Sequence, residues 1–269
     1  MNSNCLVDFH MHTEYSPDSD ASMASICNAA VKAGLQRIAI TDHVEIPALF
    51  ADGYDRTAAL SFAQAGGMQL LFKNKLQIER GIELGEPLHD LEKAEQFLAS
   101  YKFDFVLGSL HNLKNDTDFY HYDFTNVEIR PLMNRYFDEV LDMVRWGKFH
   151  SLAHLTYPFR YFPDQSYAAD YSPWQDSIDS IFRTLAQKGI ALEINTSGLR
   201  QPMQKTLPDL PLICRFRELG GEMVTVGSDA HFPKDVGSNI IDGIQIAKQA
   251  GFRHIAVFHK GKLEMLPIE

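Results

Sequence analysis

Two histidines separated by one residue follow a short apolar segment near the start of the chain. The apolar segment is Cys5-Leu6-Val7, and His10 and His12 lie in residues 8–13, directly after it. Alternate side chains of an extended strand share a face, so both imidazoles point to one side while Phe9 and Met11 point to the other. Histidine is a common metal ligand but also an ordinary half-buried residue, so this motif alone leaves a metal site and a structural role open.

Further ligand-type side chains recur where later apolar segments end. They are Asp42 and His43, Glu83, His111, His154, Glu193 and Asn195, and Asp229 and His231. Such residues would seldom follow every apolar segment by chance, so the series favours a metal site. Imidazoles and carboxylates without thiolates suit zinc, manganese or iron(II). One tetrahedral ion takes about four ligands, so the set predicts more than one ion, with a bridging carboxylate. Glu193 is expected to support a ligand rather than to bind an ion.

The segments that carry these residues alternate between strand and helix patterns. Strands are predicted over residues 6–10, 37–40, 76–82, 103–107, 149–153, 190–194 and 223–226, and residues 254–258 are expected to close or flank the sheet. Helices are predicted over residues 23–32, 57–72, 88–100, 132–146, 173–187, 210–219 and 237–250. This alternation, without a linker or repeat, predicts one α/β domain over residues 1–269, built as a parallel barrel; a doubly wound open sheet is the alternative. A barrel places reactive side chains at the C-terminal ends of its strands, where the ligand-type residues fall.

Composition limits the partners and the compartment. Of the 269 residues 45% are hydrophobic, and the formal net charge of −10 without a Lys/Arg-rich run argues against a nucleic-acid or membrane surface. Cys5, Cys27 and Cys214 form no CxxC pattern, so a disulfide framework is not supported and a reducing cytoplasm is expected. The sequence shows neither a signal-peptide pattern nor an apolar segment of bilayer length, so we expect a soluble, unexported protein. Its oligomeric state is left open.

Taken together, the motifs resemble those of the polymerase-and-histidinol-phosphatase (PHP) family of metal-dependent phosphoesterases. The resemblance rests on His10-x-His12, Thr41-Asp42-His43, Gly81-Ile82-Glu83, Gly108-Ser109-Leu110-His111, His154 and Ser228-Asp229-Ala230-His231. The chain length, Arg160-Tyr161 and residues 195–200 are similar in particular to the stand-alone histidinol-phosphatases. The resemblance implies a single PHP-type catalytic domain, a distorted TIM-like (β/α)7 barrel that holds two to three divalent ions.

The same resemblance implies how the ligands are divided among the ions. The first ion would be held by His10, His12, Glu83 and Asp229, the second by Glu83, His111 and His154, and the third by Asp18, His43 and His231. Asp18 stands where several relatives have a histidine, which leaves a ligand in place.

The charges of such a cluster suggest a mechanism. Adjacent ions lower the pKa of a bridging water and screen a phosphate dianion, so a bridging hydroxide is expected to attack phosphorus. Asp229 or His231 is expected to pass a proton to the leaving alkoxide. Arg160 and Arg200 follow the fifth and sixth strands, so both are expected to bind phosphate on the face that carries the metals; the alternative is that they are solvated surface arginines. Eight aromatic residues either line a pocket for the leaving group or cover the barrel mouth: Phe119, Tyr120, Tyr122, Phe124, Tyr157, Phe159, Tyr161 and Phe162.

Three functions remain open at this point. The first is the hydrolysis of L-histidinol phosphate to L-histidinol and phosphate in histidine biosynthesis, which the resemblance favours. The second is a PHP phosphoesterase that acts on another small phosphate ester or a nucleotide. The third is a non-catalytic metal-binding module, which the loss of ligands would mark, and none of the expected ligands is missing from this sequence.

Overall fold

The computed structural model describes residues 6–164 and 170–268, so Cys5 lies outside the described residues. The strands are β1 Val7–Asp8, β2 Arg37–Ile40, β3 His43–Glu45, β4 Gln77–Gly85, β5 Phe105–Ser109, β6 Ser151–Leu152, β7 Ala191–Asn195, β8 Val224–Gly227, β9 His254–His259 and β10 Lys262–Pro267. The α-helices are α1 Met23–Lys32, α2 Tyr54–Phe72, α3 Leu91–Ser100, α4 Ile129–Trp146, α5 Gln175–Lys188, α6 Leu210–Glu218 and α7 Ile240–Gln249.

Seven parallel strands form one nearly closed sheet. Their order is β1-β2-β4-β5-β6-β7-β8, and β3 extends the pairing along β4. The two ends of the sheet meet, because the N–H of Phe9 donates to the carbonyl of Val226 at 2.9 Å and Met11 forms a parallel bridge with Ala230. The predicted seven-stranded barrel is therefore confirmed, and the open doubly wound sheet is wrong.

Apolar faces of the helices cover the barrel. In α4, for example, Phe137, Val140 and Val144 are buried in the main hydrophobic cluster at the spacing of one helix face. Helix α1 has the bounds predicted from sequence: the Ser22 hydroxyl accepts the N–H of Ser25 at its start, and Gly34 follows its end in the left-handed region at φ 77°.

Several element boundaries differ from the prediction. Strand β1 is limited to Val7–Asp8, and Glu83 lies inside β4 rather than after it. Helix α7 begins at Ile240 rather than at residue 237, because Gly237 and Asn239 both have positive φ.

The predicted segment at residues 254–258 flanks the barrel and does not close it, since Phe258 packs 5.5 Å from Phe105 of β5 between ring centroids. It pairs antiparallel with β10, an unpredicted strand whose exposed charged residues hide the apolar signal of a strand. No helix in the described part of the chain combines the length and apolar character needed to cross a bilayer.

Candidate metal centre

All nine predicted metal ligands converge at the C-terminal end of the barrel. Imidazole nitrogens approach one another closely: the Nε2 atoms of His10 and His12 lie 3.1 Å apart, and those of His111 and His154 lie 3.4 Å apart. Two ring nitrogens at this distance need a proton or a cation between their lone pairs. The donor arrangement therefore fits bound cations.

Glu83 occupies the middle of the cluster and is completely buried. Its Oε1 lies 2.9 Å from His154 Nε2 and 3.2 Å from His111 Nε2. Its Oε2 lies 3.2 Å from His10 Nε2 and 3.1 Å from His43 Nδ1. The two oxygens thus face ligands from different strands, which is the geometry required of a bridging carboxylate.

Several subsets of the cluster have all their ligand atoms within 4.8 Å of one another. These subsets are His12, Asp18, His43 and His231; His10, His12 and Glu83; His10, His154 and Asp229; and His43, Glu83 and His111. Imidazole and carboxylate donors in groups of three and four fit divalent zinc, manganese or iron. These subsets differ in part from the division of ligands that the family resemblance implies. His12 also lies in the subset that contains Asp18, and Asp229 also lies in the subset that contains His154.

Glu193 contacts two of the predicted ligands from the side away from the cluster. Its Oε1 lies 2.7 Å from His10 Nδ1, and its Oε2 accepts the backbone N–H of His154 at 2.8 Å. The Ser16 hydroxyl lies 3.0 Å from Nδ1 of His12. Partners on Nδ1 fix the ring orientation and leave Nε2 directed at the cluster.

Two further carboxylates beside the cluster were not predicted. Glu45 Oε1 lies 3.2 Å from Nδ1 of both His43 and His111. Glu86 accepts the backbone N–H of His111 at 2.6 Å. The backbone of Glu86 itself lies in the left-handed region, at φ 49°. The signal for Glu45 was its position two residues after His43 in an extended segment, whereas the left-handed turn at Glu86 leaves no periodic signal.

Asp42, which ends a predicted strand, acts as an anchor and belongs to none of these subsets. Its carboxylate accepts the N–H of Thr13 at 2.6 Å and the hydroxyls of Ser16 at 2.9 Å and Ser61 at 2.6 Å. These bonds hold the loop after His12 against the second strand.

Charges within the cluster shift neighbouring pKa values in opposite directions. Burial opposes protonation of His10, but the carboxylates of Glu193, Glu83 and Asp229 raise its pKa well above the ordinary value. Burial, His231 and His43 lower the pKa of His12 to about 3. Burial alone would raise the pKa of Asp229, yet the nearby imidazoles and Arg160 hold it well below the usual range. Asp229 is therefore ionised and His12 neutral, the forms that bind metal ions.

Asp229 has an unusual backbone conformation for a residue other than glycine, with φ 54°. Its N–H donates to the His10 carbonyl at 2.8 Å, which ties this turn to the first ligand segment. The side-chain Oδ2 accepts from Ser197 Oγ at 3.2 Å and Asn195 Nδ2 at 3.3 Å. Next to it, His231 Nε2 lies 2.9 Å from Asp18 Oδ2.

A cavity of about 540 Å³ opens above the cluster and includes Arg160 in its wall. The Nη2 of Arg160 donates to Ser197 Oγ at 3.2 Å and lies 3.7 Å from Asp229 Oδ2. Its Nε is buried without a hydrogen-bond partner among the described residues. The structure does not bring Arg200 to this cavity: its Nη2 donates to the Ser228 carbonyl at 2.7 Å, and its Nε faces Asp235 at 3.8 Å.

The predicted aromatic residues divide between the two roles considered for them. Tyr120, Tyr157 and Tyr161 line the cavity. Four phenylalanines are instead buried in the main hydrophobic cluster, with Tyr122 packed against it: Phe119, Phe124, Phe159 and Phe162. Three of the four tyrosines in this set thus face the site, whereas Tyr122 and the four phenylalanines lie in the layer behind it.

Comparison of the sequence with known proteins identifies similarity to histidinol-phosphatases. The histidinol-phosphatase of Lactococcus lactis is 30% identical over 265 residues, covering 96% of this chain and 96% of the relative. The probable histidinol-phosphatase of Thermotoga maritima is 29% identical, covering 94% of this chain and 95% of the relative. Both alignments span nearly the whole of each protein.

Comparison with solved structures also identifies similarity to histidinol phosphatases. The histidinol phosphate phosphatase of Lactococcus lactis, in complex with zinc, L-histidinol and phosphate, superposes with a TM-score of 0.84 at 28% identity and covers 96% of this chain and 98% of its own. The putative histidinol phosphatase of Listeria monocytogenes, at 16% identity and a TM-score of 0.74, covers 88% of this chain and 99% of its own and shows the shared fold. The model of the PHP domain matches residues 8–197, more than half of the sequence. The chain is a member of the PHP domain family.

Proposed function

We propose that this protein is a metal-dependent phosphomonoesterase that hydrolyses L-histidinol phosphate to L-histidinol and phosphate, a step of histidine biosynthesis. The observation that carries the proposal is the central Glu83 carboxylate, surrounded by four imidazoles at 2.9–3.2 Å beneath a cavity that also contains Arg160. The similarity to a histidinol-phosphatase over 96% of the chain supports the choice of substrate.

Two to three divalent ions are assigned to the nine converging side chains. These ligands are His10, His12, Asp18, His43, Glu83, His111, His154, Asp229 and His231. Zinc, manganese and iron(II) all suit this donor set. Such ions, when bound, activate water for attack on phosphorus and offset the charge of the phosphate dianion.

Arg160 binds the phosphate group of the substrate. Its guanidinium lies at the wall of the cavity and stacks on the Tyr157 ring at 4.8 Å, which fixes its plane. About a tenth of the Arg160 side-chain surface remains accessible at the cavity wall, where its charged N–H groups can donate to phosphate oxygens. Arg200 holds the Ser228 carbonyl next to Asp229 and takes a supporting role in place of the expected direct contact with phosphate.

Asp229 and His231 are the residues proposed to move protons. Both line the cavity, and Asp18 Oδ2 orients the His231 ring from 2.9 Å. The leaving alkoxide of L-histidinol needs one proton. The His231 imidazole can donate it directly, whereas the ionised Asp229 carboxylate can first accept it from the attacking water and then pass it to the alkoxide. Ser197 and Asn195 donate to Asp229 Oδ2 and hold that carboxylate in place.

The class of ligand is inferred from the net charge, and the cellular location from the cysteines. A net charge of −10 supports a small phosphate ester over a nucleic acid as the ligand. Cys27 and Cys214 are free thiols, which suits the reducing cytoplasm proposed as the location.

A panel of phosphate esters tests the proposed function. Protein loaded separately with zinc, manganese or iron(II) is assayed for phosphate release from L-histidinol phosphate, AMP and glucose 6-phosphate. We expect kcat/KM for L-histidinol phosphate to exceed the other values by at least about 100-fold, and a chelator to abolish turnover. Equal turnover of all three esters would contradict the substrate assignment, and no turnover with any metal would contradict the enzymatic function.

Variants of the ligands test whether the cluster carries the activity. His10→Ala and Asp229→Ala are expected to abolish turnover and to lower the number of metal ions bound per chain. His254→Ala is the matched control, because His254 is an exposed residue of β9 outside the cavity. Full activity in His10→Ala would rule out this site.

A further inference from the structure

Among the residues that the structure describes, Asp118 is the one carboxylate that lines the cavity outside the metal cluster and the groups that support it. It begins the short 3-10 turn Phe119–His121, whose Tyr120 N–H donates to Asp118 Oδ1 at 2.7 Å. The Phe119 N–H donates to the carbonyl of His111 at 3.0 Å. The turn is therefore fixed to the loop that carries a proposed metal ligand.

Two tyrosines connect Asp118 to the phosphate end of the cavity. The Tyr157 hydroxyl donates to Asp118 Oδ1 at 3.0 Å and accepts from the Tyr161 hydroxyl at 3.1 Å. The same Tyr157 ring packs against His111, with ring centroids 5.0 Å apart, and under the Arg160 guanidinium. The Tyr157 side chain thus lies between the Asp118 carboxylate and the predicted metal ligand His111.

The charge of Asp118 is not balanced by the protein. Within residues 6–164 and 170–268, no lysine or arginine forms an ion pair with it, and both hydrogen bonds described above go to Oδ1. A carboxylate in a cavity for phosphate repels the substrate unless the substrate itself carries a positive charge. A cationic group on the organic part of the substrate would turn this repulsion into attraction.

We propose that Asp118 binds the protonated amine of the substrate and is thereby a specificity-determining residue; this inference rests on the proposed function. The ammonium donates to Asp118 Oδ2 while Arg160 and the metal cluster hold the phosphate. The ring of Tyr120, 67% exposed at the rim and 5.9 Å from that of Tyr161, gives the imidazole an aromatic surface. Purely anionic esters such as sugar phosphates meet the unpaired carboxylate and are disfavoured.

The test compares two proteins on two substrates. Metal-loaded wild type and Asp118→Asn are assayed with L-histidinol phosphate and with its des-amino analogue, 3-(imidazol-4-yl)propyl phosphate. In the wild type, we expect removal of the amine to lower kcat/KM about 10- to 100-fold, the usual size of a hydrogen bond to a charged group. In Asp118→Asn, the value for L-histidinol phosphate falls by a similar factor, and removing the amine causes little further loss.

Two controls separate recognition from structural damage. The amide oxygen introduced by Asp118→Asn still accepts from Tyr157 and Tyr120, and the variant lacks the negative charge that disfavours anionic esters. Hydrolysis of p-nitrophenyl phosphate by Asp118→Asn is therefore expected not to fall below the wild-type value, whereas structural damage to the site would lower it. Asp116→Asn is the matched variant: Asp116 lies in the same loop but accepts from Tyr122 and faces Arg135 outside the main cavity.

The outcomes that overturn the inference are distinct from failure of the proposed function. Suppose that the wild type prefers the substrate with the amine. If Asp118→Asn then loses the same activity on both substrates, or loses no activity on either, the role of Asp118 alone would be overturned. A wild type that hydrolyses p-nitrophenyl phosphate but not L-histidinol phosphate would overturn the proposed function, and this inference with it.

Discussion

Glu193 Oε1 lies 2.7 Å from His10 Nδ1, although 183 positions separate the two residues in the chain. Both side chains are buried, and the other carboxylate oxygen accepts the backbone N–H of His154 at 2.8 Å. One carboxylate of β7 therefore orients a ring that follows β1 and a backbone segment that follows β6. Hydrogen bonding at Nδ1 leaves His10 Nε2 free to face the metal cluster.

Glu193→Gln is predicted to weaken metal binding. The amide keeps only one acceptor oxygen, so it cannot accept from both the His10 ring and the His154 N–H. Loss of such a support costs about 10- to 100-fold in metal affinity. Competition with a chelator, followed by metal analysis, measures the effect, with the exposed Glu92→Gln as control. Unchanged metal affinity would show that Glu193 does not orient His10.

A pair of glycine substitutions tests the packing around Glu45. A Cβ at Gly85 would overlap the Glu45 carboxylate, which contacts His43 and His111. Gly85→Ala is therefore expected to displace Glu45 and to lower both bound metal and kcat, measured together on the same preparation.

Gly67→Ala provides the contrast. Gly67 is an exposed residue within α2, and a Cβ there meets no atom within 4 Å. We expect this change to raise the free energy of unfolding by about 0.5–1 kcal/mol, because alanine loses less backbone entropy in a helix than glycine. Equal effects of the two substitutions on metal content would contradict the role given to Glu45.

Arg160→Ala is predicted to affect phosphate binding rather than metal binding. The guanidinium contacts Ser197 and Tyr157 but belongs to none of the ligand subsets. Removing a bidentate phosphate contact should raise KM and the inhibition constant for inorganic phosphate by about 10-fold or more, with metal content unchanged. Arg145→Ala, on the exposed face of α4, is the control. Wild-type kinetics in Arg160→Ala would remove that residue from the site.

His150 is predicted to make stability depend on pH. Burial lowers its pKa to about 4, and Nδ1 accepts the Val106 N–H at 2.8 Å. The unfolded chain binds a proton near pH 6.5, which the folded chain does not. The contribution of neutral His150 is therefore complete above about pH 6.5 and is lost as the pH falls towards 4.

Denaturant unfolding of metal-free protein at pH 7.5 and pH 5.0 measures this dependence without metal release. Wild type is expected to lose about 1–2 kcal/mol more than His150→Gln over this interval. The other histidines titrate in both proteins, so the comparison isolates His150. Parallel losses in the two proteins would show that His150 carries a proton in the folded state.

The sequence predicted most of the architecture because each element carries its own local signal. The bounds of α1 and β2 were predicted to the residue from a capping serine, a terminal glycine and an apolar run. Strand β10 was missed because it is a charged, exposed edge strand. The closing of the sheet between β1 and β8 could be inferred only from the alternation of elements, since the bonds that form it join residues more than 200 positions apart.

What the sequence by itself determined is the kind of chemistry: imidazoles and carboxylates without thiolates, placed at the ends of parallel strands, predict a polynuclear metal site in an α/β barrel. The PHP family was indicated by the resemblance of the motifs that carry these residues. The tertiary structure alone decided how similar residues divide their roles. It brought Arg160 into the cavity and turned Arg200 towards a backbone carbonyl, and it set Glu45 and Asp118 beside the site. The reason is physical: spacing along a strand reports the face and the end on which a side chain lies, whereas coordination and recognition depend on distances between strands that only folding creates.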